Sequence, residues 1–267
     1  MNTSKIGTKF AIYAILTFFL ILWAYPVYVA VTKSFNVGGL NNYKAVITNK
    51  NINYFRVVFN SLLISIATTL IVVLITTLGA YAFSKMRFHG RNVLYILLLA
   101  CLAVPAAAVT SPMFFTVKSL HLMNTYLALI LPLTAFNAPM MLMIVRTYFD
   151  GVPDEIIEAA TVYSCSSFGI YTRILMPLST PVIANIGTLT FVYSWNDYLI
   201  PLLFTRNENM YTVTLAATYF MDTQNQTAAM VAQLYAALIL MTIPSVIVYL
   251  FAQKYLQMGI TAGAVKS

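Results

Sequence analysis

Six stretches of the chain carry no charged side chain: 10–32, 57–84, 92–117, 119–145, 174–196 and 223–253, each 23 to 31 residues long. Roughly 20 residues of helix cross the hydrocarbon core of a bilayer, so every stretch is long enough to span. A transmembrane barrel would need segments of about ten residues with alternating polarity. Residues 62–75, LLISIATTLIVVLI, do not alternate, and neither does IYAILTFFLILWAY at 12–25. In lipid the backbone must satisfy its own hydrogen bonds, which a continuous apolar run does as a helix. The pattern predicts an all-α membrane protein with six transmembrane helices at about 10–31, 57–84, 92–114, 124–145, 179–200 and 228–250. Only short loops remain, so residues 1–267 read as one transmembrane domain. Lys5 and Lys9 precede the first run, as in a secretory signal, but a signal's apolar region is only 7–15 residues with a small-residue cleavage site. The run here is longer and ends VYVAVTK, which reads as an uncleaved first span.

Composition agrees with the pattern. Apolar residues make up 60% of the chain and charged ones 8%, against roughly 25% charged in soluble domains. That excludes a soluble enzyme and a disordered or fibrous chain. Six spans put both termini on one side, and positive charge in short loops sets which side. With the termini inside, the inner segments hold Lys5, Lys9, Lys85, Arg87, Arg91, Arg146, Arg173, Lys254 and Lys266. The outer ones hold Lys33, Lys44, Lys50, Arg56, Lys118 and Arg206. The compact loop SKMRFHGRN at 84–92 decides the vote, placing both termini in the cytoplasm. The formal charge of +8 suits anionic lipid headgroups. No soluble basic domain exists to bind nucleic acid.

Polar and small residues inside the spans come next. Gly79, Ala80 and Ala82 close the second span with residues that let helix backbones approach. Pro105, Pro112, Pro132 and Pro139 predict kinks in the third and fourth. Asn137 and Asn185 lie in apolar segments, where an unpaired amide is costly, and read as helix–helix hydrogen bonds in preference to ligand contacts. After the fifth span, WNDYLIP at 195–201 puts Asp197 near the outer interface with Trp195 and Tyr198. Cys101 and Cys165 match no disulfide or metal pattern, and His89 and His121 fall on opposite sides. Phosphate-binding glycine loops, metalloprotease motifs and nucleophile elbows are absent from the sequence, so no chemistry or metal is expected on this chain.

The stretch 147–178 stands apart. Asp150, Asp154, Glu155 and Glu158 are four of the seven acidic residues. Pro153 suits a helix first position, and the acids that follow suit a helix N-terminus. Ile156, Ile157, Ala159 and Ala160 make the helix partly apolar. Surface helices on membranes favour Lys and Arg, so this acidic one fits a groove on a partner better than a lipid surface.

The loop 158–181, EAATVYSCSSFGIYTRILMPLSTP, resembles the EAA loop of permease subunits of ATP-binding-cassette (ABC) importers. The resemblance covers nearly the whole chain. It takes in Asn60-Ser61-Leu62, Ala80-Tyr81-Ala82-Phe83, Asn124-Thr125 and Trp195-Asn196 with Pro201. The tail GITAGAVK at 259–266 resembles that of the second permease subunit of carbohydrate importers of the maltose type.

The resemblance implies a six-helix type I importer permease in a bacterial or archaeal inner membrane. It implies a second homologous permease, two cytoplasmic ATPase subunits that carry ATP and Mg, and an extracytoplasmic solute-binding protein. Docking to the ATPase then falls on residues 153–181, through Pro153, Asp154, Glu155, Glu158, Ala159, Ala160, Tyr163, Ser164 and Pro177, with Pro181 closing the loop. The tail 251–267 then reaches the ATPase interface through Gly259, Thr261, Gly263 and Lys266. In the maltose type, sugar contacts belong mainly to the other permease. One departure stands out: the family carries Asp and Gly where this chain has Tyr163 and Ser164. Glycine permits a tight turn there, and serine does not freely adopt positive φ, so the elbow is expected to differ in shape. The alternatives are a permease for a non-sugar solute and, from another class, an ion-gradient-driven transporter. The latter is opposed by the lack of visible repeats and of charged residues at the span centres.

Overall fold

A computed structural model describes residues 3–221 and 227–264, with side chains for 8–221 and 227–253. The long helices are α1 (Thr3–Ser34), α3 (Tyr54–Lys85), α6 (Leu127–Asp150) and α13 (Ala228–Ala264). Between them lie α2 (Leu40–Ile47), α4 (Arg91–Ala100), α5 (Ala106–Ser119), α7 (Asp154–Val162) and α8 (Ser167–Ile170). A π-helical turn at Tyr171–Leu175 leads to α9 (Met176–Leu178), α10 (Thr180–Asn196), α11 (Leu199–Phe204) and α12 (Val213–Ala217). The protein is thus all-α, and among the described residues four helices are long and apolar enough to cross a membrane, with up to six crossings if each of two bent pairs counts as one.

Those bent pairs show how far two of the spans depart from straight helices. Arg91–Ala103 and Ala106–Ser119 meet at 102°, and Ser167–Leu178 and Thr180–Asn196 at 79°. At the first break Val104 is extended (φ −82°, ψ 118°) because the ring of Pro105 disfavours α geometry in the residue before it. Pro112, Pro132 and Pro139 stay inside helices, so of the four prolines expected to kink, Pro105 does the breaking. The second break falls at Ser179 (φ −97°, ψ 11°), between α9 and α10 and two residues before Pro181, which has no N–H to carry the helical ladder across. Upstream, where Pro177 also lacks a donor, the Met176 N–H reaches back to Tyr171 O and closes the π turn.

The chain divides into two compact units. Residues 1–55 with 216–243 form one. There Asn42 donates to Ser34 O and Asn36 O, both at 2.8 Å, and Ser34 Oγ bonds Tyr43 Oη at 2.7 Å. The Lys33 ammonium sits 5.3 Å from the centroid of the Tyr235 ring. The apolar window of α1 has 0% of its residues buried.

Residues 56–215 with 244–267 form the other unit. Its axis is α6, of whose window 56% is buried, packed along α10 and against α4 and α11. The approach of α3 to α6 is close enough that a Cβ on Gly79 would lie 2.7 Å from Leu142 Cδ1, as the small residues there demand. Around this contact Val72, Ala80, Met141, Val145, Phe149, Leu175 and Ile186 are fully buried. A second cluster, with Ile64, Leu129, Leu133 and Phe204, fills the other end.

Candidate functional site

The acidic loop is built on the first of those clusters. Val152 is buried in it, and Pro153, extended at φ −57° and ψ 136°, turns the chain into α7. Pro153 is therefore the cap, one position before the helical place expected for it. Ile157 and Ala160 face the cluster. The opposite stripe, Glu155, Glu158, Ala159 and Val162, is exposed, at the i, i+3, i+4, i+7 spacing of one helix face. Ala160 allows close approach where a longer side chain would push α7 away.

The end of α7 overturns one expectation. Ser164 does adopt the left-handed conformation, at φ +55°. Its N–H bonds Thr161 O at 2.9 Å, and the Cys165 N–H bonds Ala160 O at 3.0 Å. These two bonds are a Schellman cap, with serine in the seat glycine usually takes. The elbow therefore keeps the turn that a glycine would make, at some cost in backbone strain. Tyr163, 87% exposed, and Val162, 81% exposed, crown it, with Phe168 also exposed. Ser166 then opens α8, its hydroxyl accepting from Gly169 N at 3.2 Å. Pro177 lies in α9, and Tyr148 Oη donates to Leu178 O at 2.9 Å, fastening the loop's end to α6.

Lys85 is the residue that the pattern of motifs did not single out. Its side chain is 6% exposed, and its ammonium donates to Val152 O at 2.7 Å and Asp154 Oδ1 at 2.6 Å. The end of α3 is thus tied to the start of α7. The hydrogen bond from Lys85 and then its charge hold the Asp154 carboxyl below the usual carboxylate range, with Arg87 adding to the effect. Beside this pair Ser84 donates to Asp150 at 2.6 Å, Arg146 approaches Asp150 at 3.6 Å, and the Arg146 guanidinium stacks 3.7 Å from the Tyr95 ring centroid. Asp154 is therefore an anchor, while Glu155 and Glu158 are free to face outward. The available signal was a lone Lys ending a span with acids on the next inner loop.

At the other end, Asn60 is fully buried and donates to Asn209 O at 2.9 Å and Tyr211 O at 3.0 Å, while accepting from Tyr126 Oη at 2.8 Å. Ser61 Oγ accepts from Val213 N at 2.9 Å. Asn124, at φ +58°, accepts from Arg206 N and Asn207 N at 2.7 and 3.1 Å. Both motifs hold the segment 205–213. Trp195, expected at the interface, is instead buried and stacked on Phe191 with centroids 5.7 Å apart. Asn137 bonds its own helix, donating to Leu133 O at 2.7 Å, in place of the expected neighbour. The backbone of α13 continues through Gly259, Thr261 and Gly263. The side chains there and Lys266 lie outside the described residues. Among the described residues no cluster of His, Cys, Asp and Glu is arranged to hold a metal.

Residues 75–261 match the family described as binding-protein-dependent transport system inner membrane component. The trehalose/maltose transport system permease protein MalG of Thermococcus litoralis is 33% identical over 227 residues, covering 85% of this chain and 81% of that one. The arabinooligosaccharides transport system permease protein AraQ of Bacillus subtilis is 30% identical over 230 residues, covering 86% and 80%. The probable ABC transporter permease protein YurM of Bacillus subtilis is 33% identical over 207 residues, covering 78% and 68%. A chain from the crystal structure of a bacterial ABC transporter that imports the acidic polysaccharide alginate superposes with a TM-score of 0.81 at 19% identity, covering 96% of this chain and 99% of that one.

Proposed function

The chain belongs to the family of binding-protein-dependent transport system inner membrane components, and from that premise we propose that it is the permease of a sugar or oligosaccharide importer. It is a non-catalytic, multi-pass membrane component of an ABC importer, and family identity brings the usual architecture of paired permeases, ATPase subunits and a binding protein. The ion-gradient alternative falls with that membership. The sugar class is supported by relatives named for trehalose/maltose and arabinooligosaccharides. In this reading residues 1–267 act as one permease domain with both termini in the cytoplasm. The chain forms half of the pathway beside a homologous permease and two ATPase subunits. Residues 153–181 dock on the ATPase, and the tail around Gly259, Thr261, Gly263 and Lys266 contacts it too.

The observation that carries the docking assignment is the two-sided α7. One stripe is sunk in the protein's own core, while Glu155, Glu158, Ala159, Val162 and Tyr163 present acid and apolar surface together. Such a face suits a groove on a protein partner. A helix-terminal carboxylate in water contributes only about 0.3–1 kcal/mol through the dipole. One paired with the ATPase and desolvated is worth enough that Glu158→Ala lowers coupled activity by about tenfold or more. The test is binding-protein-stimulated ATP hydrolysis and solute uptake in reconstituted vesicles, for Glu158→Gln and Glu158→Ala at equal abundance. Wild-type values of both would remove Glu158 from the docking surface.

A further inference from the structure

Trp195-Asn196-Asp197 is a sequence motif that the docking reading leaves unused. In the structure it marks the place where α10 stops. Asp197 turns extended (φ −67°, ψ 131°), and its carboxylate accepts from Ile200 N at 2.9 Å to start α11. Its carbonyl accepts from the Thr214 hydroxyl at 2.6 Å. Trp195, buried just before, fixes the helix end against Phe191. The break opens a cavity of about 330 Å³ between α5, α6 and the α10–α11 junction. Thr110, Asn137, Tyr193 and Asp197 bring the polar groups to its lining, and Phe136 adds a second ring. The volume is at the low end of small-ligand sites, roughly 300–1,000 Å³.

The unspent hydrogen-bonding capacity of these groups is mostly that of acceptors. The Thr110 hydroxyl donates to Ala106 O at 3.0 Å, which leaves its lone pairs. Asn137 spends one N–H on Leu133 O and keeps its amide oxygen. Asp197 spends one carboxylate oxygen on Ile200 N and keeps the other. Tyr193 is half exposed, so its ring and hydroxyl are both available. Acceptors gathered beside aromatic rings suit a molecule with many O–H donors and a C–H face. A fixed carboxylate among them disfavours an anion.

We infer that this cavity is a solute subsite on this chain's own half of the pathway, taking a neutral polyhydroxylated ring. Asp197, Asn137 and Thr110 accept its hydroxyls, and Tyr193 and Phe136 pack on its C–H face. The inference rests on the importer reading and adds that this subunit touches the solute and selects against negative charge. The test uses the whole complex with its binding protein in proteoliposomes, with labelled maltose, trehalose and arabinotriose as neutral probes and maltobionate as an anionic one. Uptake by the wild type of at least one neutral probe is the control for the importer reading; uptake of none sinks that reading and the subsite with it.

With that control met, Asp197→Asn and Tyr193→Ala are expected to lower solute carried per ATP hydrolysed roughly tenfold, the loss of a hydrogen bond to a charged group or of a stacking face. Asp197→Asn, which keeps an oxygen for Ile200 N, should also raise maltobionate uptake relative to the neutral probe. Tyr193→Phe should retain more of the ratio than Tyr193→Ala. Unchanged ratios in Asp197→Asn and Tyr193→Ala overturn the subsite while leaving the importer reading intact. So does a fall in uptake and hydrolysis together with no change in selectivity, which is the signature of a structural role.

Discussion

Replacing Ser164 by glycine tests the elbow of the acidic loop directly. A side chain held at positive φ costs about 1–2 kcal/mol through the clash of Cβ with the following carbonyl. Glycine removes that clash and leaves the two cap bonds, 2.9 and 3.0 Å long, with the same partners. It also frees the opened chain, which takes back about 0.4–1 kcal/mol. The net stabilisation of the closed cap is then roughly 0.5–1 kcal/mol, or roughly a two- to fivefold smaller open fraction. Amide hydrogen exchange in the intact complex reads this at the Ser164 and Cys165 N–H groups. Both should exchange about two- to fivefold more slowly in Ser164→Gly, while Ser164→Val, β-branched, should speed them. The N–H groups of α6 serve as an internal reference and should not move. Unchanged or faster exchange in Ser164→Gly would show that the strained turn is not what limits the loop, and the argument from φ would fail.

Two other outcomes follow from the same geometry. Cysteines placed at Asn49 and Asn207 in a Cys-free background should react with an impermeant thiol reagent added outside, and native Cys165 only from inside; labelling of Cys165 in sealed cells would reverse the orientation. For the Lys85–Asp154 tie the sign of the pH dependence is fixed by a lowered carboxyl pKa. Its contribution is complete above the ordinary Asp range and is lost as pH falls through the lower folded value. A spin-label distance between α3 and α7 should therefore stay constant down to that range and lengthen below it. Asp154→Asn should show the lengthened distance at neutral pH, and a distance insensitive to both changes would mean that the tie does not hold α7.

Much of the fold was legible because lipid leaves the backbone so few choices. The charge-free runs located every long helix: the expected 57–84 became Tyr54–Lys85, and 124–145 became Leu127–Asp150. The bend of the third span followed from its prolines. The sharpness of the turns in the third and fifth was not legible, because hydropathy integrates over about 20 residues and does not register one backbone angle. Val104 before Pro105 and Ser179 ahead of Pro181 each redirect a helix without changing the apolar count. Trp195 was misplaced for a similar reason, since an aromatic at a span end fits an interfacial belt and a packed core equally well until its neighbour Phe191 is known. Lys85 counted only as a topology charge because its partners lie 67 and 69 residues further along the chain.

In the docking we propose, the tethering of α7 is what lets it transmit a push. A free amphipathic helix would roll when pressed and pass little on. This one is held at its start by Val152 in the core and by the ammonium of Lys85. Ala160 and Ile157 hold its middle, and the Schellman cap on Ala160 and Thr161 holds its end. Beyond the elbow, Tyr171 donates to or accepts from Thr77 at 2.8 Å inside the same core, and Leu178 is fastened to Tyr148. These tethers lead to α3 and α6, the helices whose close contact at Gly79 and Leu142 organises the unit. Packed interiors resist compression, so force applied at Glu155 and Glu158 moves α7 as a body and reaches both helices together. Loosening one tether, as in Asp154→Asn, should for that reason weaken transmission to α3 while leaving the outward face proposed for docking unchanged.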